Sequence, residues 1–307
     1  MLKILKLRNT VLAHILLFIA NLIYAINYTV AKDVMPNYIE PSGFILLRVT
    51  GAAALFAVSY LLIVKEKVDK KDLFRLAICG LFGIAINQLL FFEGLNLTTP
   101  INAAIIMTLT PVLVVALSIL ILQERLNFKI NIGLLIGFSG ASTLILNSGN
   151  SSLLNDFTVG NAFILINATS YALYLVLIKP LMEKYHPITI MFFVFSFGLL
   201  FVFPFGYVEL SEVVWASIPK KIIWEIFFVV ICTTFIAYLF NSTALKYLTP
   251  ATVSIYIYLQ PLLATIIAIL FSSDSLDVIK IISIFMIFIG VYLVSVKSNN
   301  ECKQKLS

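Results

Sequence analysis

Charge is what this chain has least of: 12% of its 307 residues are charged, against 61% hydrophobic. A mean hydropathy of +1.05 at that length excludes a soluble globular domain. The net charge of +6 does not point to nucleic acid, because the lysines form no continuous basic face with interleaved aromatics. Cysteine is scarce as well. Cys79 and Cys232 stand alone in apolar stretches and Cys302 sits in the tail, so neither a disulfide framework nor a zinc site is indicated. The two histidines, His14 and His186, fit no HExxH or Ser/His constellation, and no Asp-rich metal motif is present. The expectation is a protein that is not an enzyme, with no cofactor and no metal. There is no GxxxxGK[ST] either. Gly80, Gly83, Gly133, Gly137 and Gly140, three or four apart, suit close helix approach instead. No Asp or Glu falls at mid-span, so no carboxylate proton relay is visible. Proton coupling then has one candidate, His14, which reads better as an interfacial or bundle-facing histidine with one hydrogen-bond partner. The first apolar run is long enough to span and lacks a small-residue cleavage site, so no signal peptide is expected. The sequons at Asn96, Asn150 and Asn167 carry no inference.

What the chain does have is long apolar runs. Spans are expected at about residues 9–31, 42–64, 73–95, 99–122, 128–147, 159–179, 187–207, 222–243, 250–271 and 276–296, each near the ~20 residues that cross a hydrocarbon core. Pro41, Pro100, Pro187 and Pro250 sit at span starts, where a missing N–H costs little. With a cytoplasmic N-terminus, most of the 21 Lys and Arg fall inside, and Lys32, Lys220, Lys221 and Lys280 fall outside. That bias puts both termini in the cytoplasm.

A second pattern is a mid-span proline that occurs twice. Thr99-Pro100, Pro111 and Leu120 recur 150 residues later as Thr249-Pro250, Pro261 and Leu270, with Glu124 answered by Asp274. A proline inside a helix removes a donor and kinks it. In a bilayer such breaks are tolerated where protein or a water-filled cavity satisfies the freed carbonyl. Matching interruptions in two halves point to a transporter's binding site. Each half holds an odd number of spans, so the halves are inverted relative to one another. The fold class expected is an all-α polytopic membrane protein of ten transmembrane helices in two inverted five-helix repeats. The repeats are residues 1–147 and 159–296, joined by an external linker over 148–158 and followed by a cytoplasmic tail over 297–307.

Few ionisable groups lie within the spans, and each is a functional candidate. Arg48 and Glu93 lie at depths that allow an ion pair, either structural or an outer gate. Glu124 and Asp274 suit capping or helix–helix bonding better than gating. The candidate substrate-binding set is Asn21, Tyr24 and Tyr28 in the first span, Gln88 in the third, Thr110 before Pro111, Tyr171 and Tyr174 in the sixth, Tyr238 in the eighth, and Tyr256 and Gln260 before Pro261. Asn27, Asn87, Thr108, Thr234, Asn241 and Tyr258 accompany them. Such groups line an apolar pocket with a few convergent hydrogen bonds, or they glue helices together.

These residues carry a resemblance. Tyr24-Ala25-Ile26-Asn27-Tyr28-Thr29-Val30-Ala31-Lys32 has the counterpart Tyr171-Ala172-Leu173-Tyr174-Leu175-Val176-Leu177-Ile178-Lys179. With Arg48 early in the second span, Pro111 and Glu124, the chain over about 5–296 resembles the ten-span EamA-type branch of the drug/metabolite transporter superfamily. Tyr24 stands where that family commonly has tryptophan, Ala25 where it has glycine, and Asp274 where it has glutamate. The resemblance implies transport of amino acids, related metabolites or toxic compounds, mostly outward. The functional expectation is a secondary transporter of small neutral or zwitterionic organic solutes, with a channel or receptor-like membrane protein, or an intramembrane enzyme, as the alternative. The transporter exports by alternating access, as a monomer in a bacterial inner membrane. Its partners are the substrate and the lipid bilayer.

Overall fold

The computed structural model describes residues 2–97, 103, 106–123, 128–147, 158–263 and 278–295. All regular structure among them is helical. We label the rods α1 (Leu2–Val34), α2 (Pro41–Val64), α3 (Lys70–Leu97), α4 (Thr110–Leu122), α5 (Phe128–Asn147), α6 (Thr158–Lys184), α7 (Pro187–Ser211), α8 (Lys220–Tyr247), α9 (Pro250–Ile255) and α10 (Val278–Ser295). Six stretches are long and apolar enough to cross a membrane: Arg8–Asn27, Pro41–Val64, Lys70–Leu97, Val159–Lys184, Pro187–Ser211 and Lys220–Tyr247. Thr110–Leu122, Phe128–Gly140 and Ile281–Val294 are shorter apolar helices.

Helix starts follow local chemistry. Pro41, Pro187 and Pro250 occupy the first turns of α2, α7 and α9, where no intrahelical donor is lost. Thr249 Oγ1 caps α9 by accepting the Thr252 amide at 3.2 Å, and His186 Nδ1 accepts the Ile188 amide at 3.3 Å at the start of α7. Pro100, Glu124, Leu270, Asp274, the 148–157 stretch and the tail lie outside the described residues.

One boundary differs from expectation. The sixth span was to end at Lys179, before Pro180, yet α6 continues through that proline to Lys184. The turn beyond it is held from outside. Lys184 pairs with Asp69 and Asp72, and the Tyr185 hydroxyl donates to Asp72 at 2.7 Å. α7 likewise carries Pro204 within its length.

Three π-helical stretches were not foreseen, and one of them, Tyr60–Val64, ends α2. Leu81–Ile86 interrupts α3 and Val229–Ile236 interrupts α8. Their last residues are 150 apart, the same offset that relates Gln88 to Tyr238 just beyond them. Packing follows the same relation. The second half of α3 lies on α6 and the second half of α8 lies on α1, while α2 packs with α7 and α5 with α10.

The bundle is apolar outside and partly polar within. Leu62, Trp224 and Leu120 are about three-quarters exposed, whereas Asn21, Arg48, Gln88, Asn167 and Thr233 are buried. That inversion of the soluble pattern suits lipid as the surrounding solvent. The α5–α10 crossing brings backbone against backbone. A Cβ on Gly290 would fall 2.7 Å from the Gly133 carbonyl oxygen and 2.7 Å from Gly137 Cα. Both are backbone atoms that cannot swing aside. Gly290→Ala is therefore expected to destabilise the protein by about 1–3 kcal/mol, whereas Phe285→Ala on the exposed side stays within about 0.5 kcal/mol. Thermal unfolding of both variants in detergent tests this, and equal midpoints would show that the crossing yields freely.

Candidate functional site

Pro111 lies in the first turn of α4, where no intrahelical donor is lost, and not at mid-helix as expected, and Pro261 follows a 3-10 turn. A turn at Thr108 and Leu109 precedes Pro111, with the Leu109 amide bonded to the Ile106 carbonyl at 3.0 Å, three residues back. A 3-10 turn, Tyr256–Tyr258, precedes Pro261, and the Leu259 amide bonds back to the Tyr256 carbonyl. A proline cannot donate to the carbonyl four residues earlier. Those residues are Met107 and Ile257, and both line one internal cavity.

The cavity has a volume of about 130 Å³ and lies between α1, α2, α3, α6, α8, the α9 turn and the turn before α4. Of the candidate residues, Asn21, Tyr24, Gln88, Tyr171, Tyr238 and Gln260 form its wall, and Asn27, Asn87 and Asn241 join them. Hydrogen bonds tie that wall across helices. Gln260 Nε2 donates to Asn21 Oδ1 at 3.0 Å, linking the segment after the 3-10 turn to α1. Asn241 Nδ2 donates to the Tyr24 hydroxyl at 3.4 Å, and Gln88 Nε2 to the Tyr238 hydroxyl at 3.1 Å. The Ser170 hydroxyl donates to the Phe82 carbonyl at 2.6 Å inside the first π stretch.

Other candidates lie off the wall. Tyr174 is buried behind Tyr171, with ring centres 5.9 Å apart, and its ring fills the place a side chain at Gly83 would take. Tyr256 faces the other way, and its hydroxyl meets His14 Nδ1 at 2.7 Å. Thr110 and Pro111 are buried outside the lining. Tyr28 belongs to α1, but its side chain is outside the described residues.

Arg48 and Glu93 do not meet, which corrects the expected pair. Glu93 accepts the Ser42 hydroxyl at 2.9 Å. Arg48 donates Nε to Thr234 Oγ1 at 3.2 Å, and its guanidinium lies 5.1 Å from the centre of the Phe92 ring. Successive residues on a helix diverge by about 100°. Because α3 presents Phe92 to Arg48, its next residue, Glu93, is turned away toward α2's first turn. Similar depth was legible from the sequence, but azimuth was not.

Asn167, Thr233, Phe91, Phe92, Met107, Val253 and Ile257 also line the cavity and were missed as site residues. Asn167 had a usable signal, since it stands four residues before Tyr171 and shares its helix face. Thr233 had none, because the π stretch that carries it shifts the helical register.

Comparison with known proteins gives this geometry a context. The EamA-like transporter family matches over residues 11–146 and 158–296. The chain belongs to the EamA-like transporter family. It is an integral membrane transporter, not an enzyme. It is 24% identical over 270 residues to a protein of Archaeoglobus fulgidus named an uncharacterized transporter, covering 88% of this chain and 92% of that one. It is also 24% identical over 163 residues to a Streptantibioticus cattleyicolor protein named a probable terminal-alkyne amino-acid exporter, covering 53% and 54%. A crystal structure shares the fold with a TM-score of 0.73 at 17% identity, over 92% of this chain and 96% of the other.

The Gln88–Tyr238 bond offers a direct check on the wall. Tyr238→Phe leaves the Gln88 amide donor without its buried partner, a loss of about 1–3 kcal/mol. Adding Gln88→Leu removes the stranded group and is expected to recover part of that loss. A thermodynamic cycle of the two single variants and the double variant measures the coupling, and strict additivity would show that the bond contributes nothing.

Proposed function

We propose that this EamA-like transporter is a secondary carrier of small neutral or zwitterionic organic solutes. It works by alternating access and moves its solute outward. One observation carries the reading: a polar and aromatic cavity lined by residues from both matched stretches of the chain, with Met107 and Ile257, each four residues before a proline, on its wall. Freed backbone carbonyls and interrupted helices are the usual material of a transporter's site. Aromatic faces with a few amide groups suit a small organic solute, and a wall with a single fixed charge does not suit a phosphate, which usually takes several Arg or Lys. The amino-acid exporter among the relatives supports both the solute class and the outward direction.

The same reading assigns ten crossings, with α4, α5, α9 and α10 as parts of the four that fall short of full span length among the described residues. Two inverted five-helix repeats, residues 1–147 and 159–296, follow from the odd number of spans in each half. The linker over 148–158 is external, both termini are cytoplasmic, and the working unit is a monomer. The family's two matched stretches and the matched π stretches support the repeat. Asn21, Tyr24, Gln88, Tyr171, Tyr238 and Gln260 bind substrate, and the breaks at Pro111 and Pro261 let the halves exchange conformations.

Reporter fusions at Ser307 and Asn150 are expected to report opposite sides of the membrane, and a shared side would end the inverted arrangement. In proteoliposomes, a panel of amino acids and toxic analogues is expected to show saturable flux with counterflow. Pro111→Ala and Pro261→Ala should reduce that flux while raising thermal stability. They should also shift cysteine accessibility near Thr110 and Gln260 toward opposite sides. Normal transport with unchanged accessibility in both variants would remove the prolines from the mechanism.

A further inference from the structure

Arg48 is a charged side chain buried without a counter-ion among the described residues. It is 4% exposed and lines the cavity. No Asp or Glu lies on that wall, and Arg48 is in none of the ion pairs among the described residues, which join Lys179, Lys184 and Lys221 to carboxylates. Its Nε is spent on Thr234, its face on the Phe44 and Phe92 rings, and Nη1 has no hydrogen-bond partner. Removing one partner from a buried ion pair is strongly unfavourable because the remaining charge is uncompensated. A guanidinium held by its Nε and by two aromatic rings, with a terminal nitrogen left over beside a cavity, is built to receive an anion there.

The rest of the wall describes the other end of the ligand. Asn27 Oδ1, Gln88 Oε1, Asn167 Oδ1 and Thr233 Oγ1 are buried, belong to wall residues and lack partners. The Asn167 amide is oriented by its own bond. Its Nδ2 donates to the Asn87 carbonyl, which can only accept, so Oδ1 is the free atom. Three amide oxygens and one anion receptor on a single wall match a ligand with a carboxylate and a cluster of N–H donors. An ammonium group, with three donors and no acceptor, is the compact form of the second.

We propose that Arg48 is the carboxylate anchor of the substrate site. Asn27, Gln88 and Asn167 take the ammonium of the same molecule, so the transported class is α-amino-acid-like zwitterions and not neutral or cationic compounds. The assignment rests on the carrier reading above and narrows it. A dianionic phosphate would leave one negative charge uncompensated on this wall, and an amine alone would meet the guanidinium as a like charge.

The test is binding to the purified full-length protein in detergent, by calorimetry, with the common α-amino acids as probes. For each one that binds, its amide, its decarboxylated amine and its deaminated acid are compared. The amide and the amine are expected to bind at least about 100-fold more weakly, from loss of the charged partner of a buried guanidinium. The deaminated acid is expected to bind about 10-fold more weakly, from loss of charge-assisted hydrogen bonds. Arg48→Gln should remove the preference for the amino acid over its amide, and Arg48→Lys should retain part of it. If Arg48→Gln does not fold, the four-probe series on the unaltered protein decides alone. Amide or amine binding as tight as the amino acid overturns the anchor, and so does binding of none of the amino acids. A deaminated acid equal to the amino acid overturns the ammonium half. Saturable counterflow of neutral or cationic solutes that ignores Arg48→Gln would keep the carrier and remove the anchor. An intact binding series without counterflow would do the reverse.

Discussion

Every polar group in this bundle must find its partner inside the protein, because lipid offers none. That constraint organises the structure. Helices satisfy most of their own backbones; some exceptions, such as the π turn Tyr60–Val64 and Pro180 and Pro204, lie away from the cavity, and others lie beside it. The loosened turns before Pro111 and Pro261, the π stretches of α3 and α8, and the buried amides all lie on or near the cavity wall. π-bulges and proline breaks recur at functional sites because a helix that departs from its regular ladder presents backbone and side-chain groups to a ligand. Two of these departures, Leu81–Ile86 and Val229–Ile236, end 150 residues apart.

The wall is itself assembled by bonds that cross helices. Asn21 with Gln260, Tyr24 with Asn241 and Gln88 with Tyr238 each join elements far apart in sequence. Such bonds do two things at once. They satisfy buried amides that would otherwise be costly, and they set the rotamers of the aromatic residues beside them. Gln88 and Tyr238 occupy positions 150 residues apart and touch. At the far side, α5 and α10 cross with backbone touching backbone at Gly133, Gly137 and Gly290.

His14 and Tyr256 show how a candidate is reassigned by packing. Both are polar residues at plausible depth, and the structure gives them to each other at 2.7 Å, away from the cavity. The bond holds α1 against the 3-10 turn of α9, so it reads as support for the break before Pro261. Arg48 was reassigned in the opposite direction, from a partner of Glu93 to a member of the wall.

The sequence by itself determined the solvent, the helical class and the depth of each group, because hydropathy and proline position act locally and do not depend on what a helix touches. It placed Asn21, Tyr24, Gln88, Tyr171, Tyr238 and Gln260 at the level of the cavity for that reason. Tertiary structure alone decided azimuth. Whether a residue at that level faces the cavity, another helix or lipid depends on the rotation of its helix, and the π stretches change that rotation by steps that no residue pattern announces. Tyr174, Tyr256 and Glu93 therefore fell off the wall, while Asn167, Thr233 and Phe92 came onto it. The same rotation leaves the Arg48 guanidinium facing a cavity instead of a carboxylate.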